Sequence, residues 1–412
     1  MRARLLGAAL VAAVALAAPR AGAQMIPGGP EGGPEAEVTR GTLGEGFTLR
    51  SGDGALKLNI RSHGQLQGFA ETHAPDPETG ERERPSVGVI VRRMRLIFQG
   101  HVYDKDIRYF VQLSFANRDM EPDLLVPVRD AQLLWTGLRD LNLRVGQMKV
   151  PFNRERVIGS SALGMVDRSI SNAELNLDRD VGVMLQSRDL FGLGGLLRYA
   201  LGVYGGDGRN RTIPGTGLLY AARLEVAPFG NFEDYTEADF TRAPKPRLAL
   251  GFAAAHSEST ARLRGTHTDT LENGVLDYRH AAADLIFKFG GLSLQAEVLL
   301  RKAAQTALTR VEDDGAVSVE RPRNAWGTMV QAGFMVSKHV EPSLRYSEVR
   351  PLDRTNPEVV RDREVGGGLS YYFHEHALKV QLDYFRLLTD AGPDDDSVLG
   401  RDRVRVQSQI YF

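Results

Sequence analysis

The stretch Arg403-Val404-Arg405-Val406-Gln407-Ser408-Gln409-Ile410-Tyr411-Phe412 places Val404, Val406, Ser408, Ile410 and Phe412 on one face and Arg403, Arg405, Gln407, Gln409 and Tyr411 on the other. Its period is two, which is the period of a strand. The same split recurs at 378–385, where Leu378, Val380, Leu382 and Tyr384 oppose Lys379, Gln381 and Asp383. It recurs at 340–347, and at 292–300, where Leu292, Leu294, Ala296, Val298 and Leu300 oppose Ser293, Gln295, Glu297 and Leu299.

Extending the pattern outward predicts about sixteen strands, near 56–71, 89–102, 107–116, 128–136, 140–149, 179–188, 196–205, 217–227, 247–256, 279–289, 291–302, 325–336, 338–348, 363–373, 376–388 and 402–412. Their connections mostly alternate between short ones, such as 103–106, Gly290-Gly291 and Ser337-Lys338, and long polar ones, such as 72–88, 151–178, 257–276 and 303–323. Short periplasmic turns and long external loops are the asymmetry of an outer-membrane barrel. The segment 228–245 breaks the rule, which predicts either an elaborated turn or a hidden strand. Ending the chain on a strand at Phe412 closes the sheet and leaves no unpaired edge in lipid. The terminal Phe412 also reads as a signal to the barrel assembly machinery. Tyr103, Phe152, Phe289, Tyr371, Tyr372 and Phe373, near strand ends, suit aromatic girdles. The fold class expected is all-β, a transmembrane antiparallel β-barrel.

Residues 1–23 combine Arg2 and Arg4, an apolar run from Leu5 to Ala18 and the ending Ala21-Gly22-Ala23, the pattern of a secretory signal peptide. Residues 24–54 are rich in Gly and Pro and read as a flexible lead-in, with the barrel following over 55–412. No later run of apolar residues is long enough for a spanning helix. There is no cysteine, which argues against a small disulfide-stapled fold for an exported chain. The signal takes Arg2, Arg4 and Arg20 from the 51 basic residues and nothing from the 52 acidic ones, so no basic excess points to nucleic acid.

Between Val91 and Gly206 the order of motifs resembles the phosphate-selective porin O and P family. The matching pieces are Val91-Arg92-Arg93-Met94-Arg95-Leu96 with Gly100, then Val128-Arg129-Asp130-Ala131, then Arg144-Val145-Gly146-Gln147-Met148-Lys149-Val150-Pro151-Phe152, then Arg179-Asp180-Val181-Gly182-Val183. The resemblance implies a sixteen-stranded, usually trimeric porin, general or anion-preferring, whose loop after the fifth strand folds inward as a constriction. Here that loop is about 151–178, carrying Arg154, Arg156 and Arg168, with Arg179 just beyond, among Glu155, Asp167, Glu174 and Asp178.

If the apolar positions face lipid, their alternates face water. That places Arg61, Arg93, Arg95, Arg108, Arg144, Arg198, Arg223, Arg345, Arg403 and Arg405 in the lumen, with Asp130, Asp180, Glu225, Glu297, Glu341 and Asp383. Guanidinium is a planar fork matched to oxyanions, and a column of them can pass an anion from site to site when none holds it too tightly. The same residues can instead brace the wall as cross-strand pairs. Arg61, Arg93, Arg95, Arg108, Arg144, Arg403 and Arg405 are the expected anion path, with Arg93 and Arg95 first among them.

No enzymatic signature stands out. Ser160 or Ser161 with His101 would need to be brought together by the fold. His374 and His376 could bind a metal as an i, i+2 pair but read as solvated turn residues, and Asp394-Asp395-Asp396 reads as an external loop facing lipopolysaccharide rather than a calcium site. Gly205-Gly206-Asp207-Gly208 lacks the Lys-Ser/Thr of a phosphate loop and is a turn. The expected function is passive diffusion of small anionic or general hydrophilic solutes, without cofactor or metal. The alternative is a closed barrel with a structural or adhesive role.

Overall fold

In the computed structural model, which describes residues 37–74, 83–120, 125–392 and 395–412, sixteen strands pair in chain order and close on themselves. They are β1 (Lys57–Glu71), β2 (Ser86–Val102), β3 (Asp104–Ser114), β4 (Val128–Trp135), β5 (Asn142–Lys149), β6 (Arg179–Ser187), β7 (Leu197–Tyr204) and β8 (Leu219–Val226). The second half is β9 (Arg247–Thr260), β10 (Leu276–Phe289), β11 (Leu292–Ala303), β12 (Ala325–Phe334), β13 (Val340–Pro351), β14 (Asp362–His374), β15 (Leu378–Gly392) and β16 (Asp395–Tyr411). Closure runs antiparallel from Arg403 opposite Glu71 to Tyr411 opposite His63.

The wall is apolar outside and polar inside. Leu344 is 71% exposed whereas its neighbour Arg345 is 3% exposed, and the same inversion separates Val406 from Gln407 and Leu382 from Asp383. Such a surface is stable only against lipid. Tyr103, Phe289, Tyr371 and Phe373 face outward near strand ends, as the girdle requires, but Phe152 and Tyr372 are fully buried and point inward. Phe152 stacks edge-on against His280, and Tyr372 donates to Glu341.

Strand ends differ where alternation fades. β2 and β16 begin at Ser86 and Asp395 rather than 89 and 402, because ladder pairing continues, Ser86 opposite Glu71 and Val398 opposite Asp390. Arg401, in the β16 extension, pairs with Glu71, which Arg403 shares. Charge pairing across strands needs no apolar face, so period two in hydrophobicity does not mark it.

The lead-in is not uniformly loose. Glu37–Thr42 and Gly46–Arg50 form a hairpin that pairs with the start of β1, Phe47 opposite Ile60. It prolongs the edge where β16 stops. Phe412 exchanges backbone hydrogen bonds with Ser62, and its ring meets Phe47 at 5.1 Å. The signal region 1–23, residues 24–36, part of the first external loop (75–82) and Asp394 lie outside the described residues.

Two connections enter the lumen. The first is 150–178, closed at its base by the Val150 N–H donating to the Asp178 carbonyl. It contains the single turn α1 (Arg154–Val157) and α2 (Ile170–Leu175), whose start is capped by the Ser169 hydroxyl accepting from Asn172 N–H. Phe152, Leu175 and Leu177 pack onto wall positions kept small by Ala200, Ala221, Ala253, Ala255, Ala282 and Ala325. At Gly327 a Cβ would sit 2.8 Å from Leu175 Cδ1, so only glycine lets α2 lie this close.

The second is 227–246, where a short turn was the norm. It is an elaborated turn without a hidden strand, folded up from the periplasmic end. Lys288 Nζ holds it by donating to the Glu233 carbonyl, the Thr236 hydroxyl and the Ala238 carbonyl. Its tip meets the first loop, with Glu237 N–H donating to the Ala162 carbonyl and Gly164 N–H donating to the Glu237 carboxylate.

Candidate functional site: the lumen and its neck

Because these loops meet on the β9–β15 side, open space is left beside β1–β8. A cavity of about 1390 Å³ opens toward the periplasmic turns and one of about 590 Å³ toward the external loops. Four residues line both, and all four are arginines: Arg95, Arg129, Arg156 and Arg168. They form the neck.

Their charge is partly answered. Asp119, in the loop after β3, accepts from Arg95 Nε at 2.6 Å and also faces Arg129 at 3.4 Å. Asp178 accepts from Arg156 Nε at 2.8 Å and is shared with Arg179. Arg168 has no carboxylate at ion-pair distance among the described residues. Its guanidinium donates to the carbonyls of Glu155 and Ile158, at 2.8 and 2.7 Å. Burial pulls Arg168 down to about 10, with Arg156 adding to the effect, so it remains a cation at neutral pH. Burial pushes the Asp178 carboxyl up, but Arg156 and Arg179 outweigh it and hold it well below the usual range. Four guanidiniums thus face two carboxylates, which leaves the neck positive.

The expected path residues distribute around this neck. Arg61, Arg108 and Arg144 line the periplasmic cavity, and none has an acidic partner among the described residues. Arg61 donates to Glu45 O and Asn59 Oδ1, Arg108 to Lys105 O, and Arg144 to Gln132 Oε1 at 3.3 Å. Arg93, Arg403 and Arg405 line the external cavity, but each is paired, with Asp167, Glu71 and Asp383 respectively. Burial pushes the Asp167 carboxyl up, and Arg92 and Arg93 hold it well below the usual range. Arg345 is paired with Glu364, and Arg198 and Arg223 with Asp234 and Asp284.

Arg154 lies in the constriction loop but turns away from the passage. It is fully buried and donates to Asp284 at 2.8 Å, Asp234 at 2.8 Å and Glu225 at 3.2 Å. It fastens the constriction loop to the wall and, through Asp234, to the periplasmic loop. The far end of the constriction loop is fastened by Glu174, which accepts from Arg301 at 2.5 Å and Arg323 at 2.9 Å and faces Arg264 at 3.0 Å. Burial pushes its carboxyl up, but the three guanidiniums hold it at about 2, against an ordinary 4.5. A depressed carboxylate stabilises fully above its ordinary value, and the contribution is lost as pH falls through the folded one. The difference in single-channel conductance between the native protein and Glu174→Gln is therefore expected to stay constant between pH 7 and 4.5. A step in that difference inside that window would show that the fastening is weaker than the geometry states.

Arg129 and Arg92 escape alternation for one reason. Bulges shift the register between Gln112 and Leu113 opposite β4, and between Gln65 and Leu66 opposite β2, so two successive residues turn inward. Nothing in hydrophobic periodicity marks a bulge. The remaining candidates separate: Ser160 Oγ accepts from Arg95 and His101 contacts the Gly54 carbonyl, so they form no couple. His374 is exposed, whereas His376 is packed between Phe240 and Tyr372 instead of solvated. Among the described residues no cluster of potential metal ligands occurs. The 205–208 segment is a turn whose Asp207 accepts from Ile213 N–H and the Thr216 hydroxyl.

Comparison with known proteins follows from this geometry. Residues 61–412 match the family described as phosphate-selective porin O and P. An uncharacterized protein of Aquifex aeolicus (strain VF5) is 22% identical over 313 residues, 69% of this chain and 68% of that one. Among solved structures, the anion-selective porin from Comamonas acidovorans superposes with a TM-score of 0.54 at 12% identity, covering 86% of this chain and 99% of that one. The outer membrane channel DcaP of Acinetobacter baumannii gives 0.53 at 13% over 86% and 97%. Salmonella typhi OmpF in complex with daunomycin gives 0.55 at 13% over 86% and 98%. At these identities the likeness is one of fold.

Proposed function

Since the chain belongs to the phosphate-selective porin O and P family, an outer-membrane channel, we propose that it passes small hydrophilic solutes passively and favours anions at the four-arginine neck. The observation that carries this reading is the identity of the residues common to both cavities, Arg95, Arg129, Arg156 and Arg168. Water-excluding walls magnify a charge imbalance at a constriction, and guanidiniums match oxyanions in shape. Inorganic phosphate is among the solutes that fit. Open volume on both sides of the neck weighs against a closed, adhesive barrel.

The test is zero-current potential in a planar bilayer under a KCl gradient, followed by titration with phosphate. Reversal on the chloride side is expected, and phosphate at low concentration should reduce the current. Reversal on the potassium side would overturn the reading.

The same reading extends to a homotrimer in a lipopolysaccharide-bearing membrane, inserted by the barrel assembly machinery through Phe412. Deleting Phe412 is expected to lower the yield of heat-modifiable barrel in cells, while refolding into detergent still succeeds. Equal failure in detergent would mean that Phe412 acts only through its contacts with Ser62 and Phe47.

A further inference from the structure

The inner face of a water-filled barrel is expected to be polar. At the periplasmic cavity that polar lining is interrupted on β2, β3 and β4. Leu134 on β4 stands directly opposite Arg108 on β3 and Arg144 on β5, and all three line the cavity. One pleat deeper, Phe110 stands between Gln99 and Gln132. Ile97 follows on β2, diagonal to Phe110 and two residues from Arg95 at the neck on the same face. Leu134, Phe110 and Ile97 belong to none of the buried clusters that pack the loops against the wall; Leu134 and Phe110 are half-buried, and Ile97 at the inner end is buried with little surface left to the cavity.

These side chains make a diagonal apolar stripe from the periplasmic rim to the neck. Cations flank its outer end. With strands about 4.8 Å apart, Arg108 and Arg144 stand about 10 Å from each other across Leu134. Neither has a carboxylate partner among the described residues, and Arg144 Nε is buried without a hydrogen-bond partner. A fixed charge beside an apolar surface favours a solute that carries both an anionic group and an apolar body, since each part replaces water where water is held least well.

We infer that this stripe is a binding site for organic anions with an apolar body, of the class of aromatic or branched aliphatic monocarboxylates. The inference rests on the anion-favouring reading above and narrows its solute class. The carboxylate docks on Arg108 or Arg144 while the ring or branched chain covers Leu134 and Phe110. Movement along the stripe toward Ile97 then delivers the carboxylate to Arg95.

The experiment measures half-blocking concentrations of benzoate, acetate and inorganic phosphate on the chloride current of the intact protein. Benzoate and acetate share the charged group and differ in the apolar body. Benzoate is expected to block at roughly tenfold lower concentration than acetate, a factor set by the ring area that the stripe covers. The paired variant Leu134→Asn with Phe110→Gln, both facing water, should bring benzoate to within about twofold of acetate. It should leave the reversal potential and any phosphate block unchanged. Equal block by benzoate and acetate, with reversal still on the chloride side, would overturn this inference and leave the anion-favouring channel standing. Reversal on the potassium side would overturn both. A benzoate advantage that survives in a heat-modifiable paired variant would show that the stripe is not the site.

Discussion

Arg154→Ala should give a barrel with larger single-channel conductance and a melting temperature several degrees lower. Arg154 carries no exposed surface and donates to three carboxylates, Glu225, Asp234 and Asp284, on β8, the periplasmic loop and β10. Its guanidinium also lies 5.2 Å from the Tyr235 ring. Removing the cation leaves those acids to Arg198 and Arg223 alone. Breaking a buried pair from one side costs about 3–5 kcal/mol, because a charge is left without its partner. The mechanical consequence is specific to this site. Arg154 sits at the root of the constriction loop and grips the periplasmic loop through Asp234, so its loss frees both from each other and lets the neck widen. Arg154→Lys should recover only part of the effect, because an ammonium cannot reproduce the planar fork that reaches three carboxylates. Unchanged conductance and melting in Arg154→Ala would mean that the loop is held elsewhere.

Arg168→Glu is expected to move the reversal potential from the chloride toward the potassium side. Arg168 lies at the neck without a carboxylate partner among the described residues and is bonded only to carbonyls. No carboxylate among the described residues is bonded to its guanidinium, so its charge is answered only at longer range, by Asp167, Glu155 and Glu237. Changing the charge by two units about 5 Å from a passing ion is worth about 1.6 kcal/mol even at the dielectric constant of water, which exceeds tenfold in the permeability ratio. Arg95→Glu, the same two-unit change, should shift the ratio less, since the new carboxylate lies beside Asp119 and the two like charges hold one of them partly protonated. The discriminating measurement is the chloride to potassium permeability ratio of the two variants side by side. An equal shift in both would show that ion pairing does not silence Arg95.

The sixteen strands, the loop asymmetry and the inward direction of Arg61, Arg93, Arg95, Arg108, Arg144, Arg403 and Arg405 were all legible in period-two alternation. That alternation is local: a strand buried on one side by lipid must place apolar residues every second position, and any short window reports it. Arg129 and Arg92 were not legible as inward residues, because a bulge depends on pairing with another strand and leaves no trace in the bulged strand's own hydrophobicity. The extensions of β2 and β16 were missed for a related reason, since they are set by pairing with neighbouring strands, Ser86 opposite Glu71 and Val398 opposite Asp390.

The amino-acid sequence by itself determined that this protein is a membrane barrel and, where the strands are regular, which side chains face its lumen. The tertiary structure alone decided which of those charges remain available. Arg405 is answered by Asp383, Arg345 by Glu364 and Arg154 by acids up to 130 residues away, while Arg168 and Arg144 have no carboxylate at ion-pair distance among the described residues. Whether a lumen arginine braces the wall or meets a solute depends on which acids the neighbouring strands and the two inward loops carry to within hydrogen-bond reach. Coulomb attraction and desolvation act at distances of a few ångströms in space, and separation along the chain does not enter them.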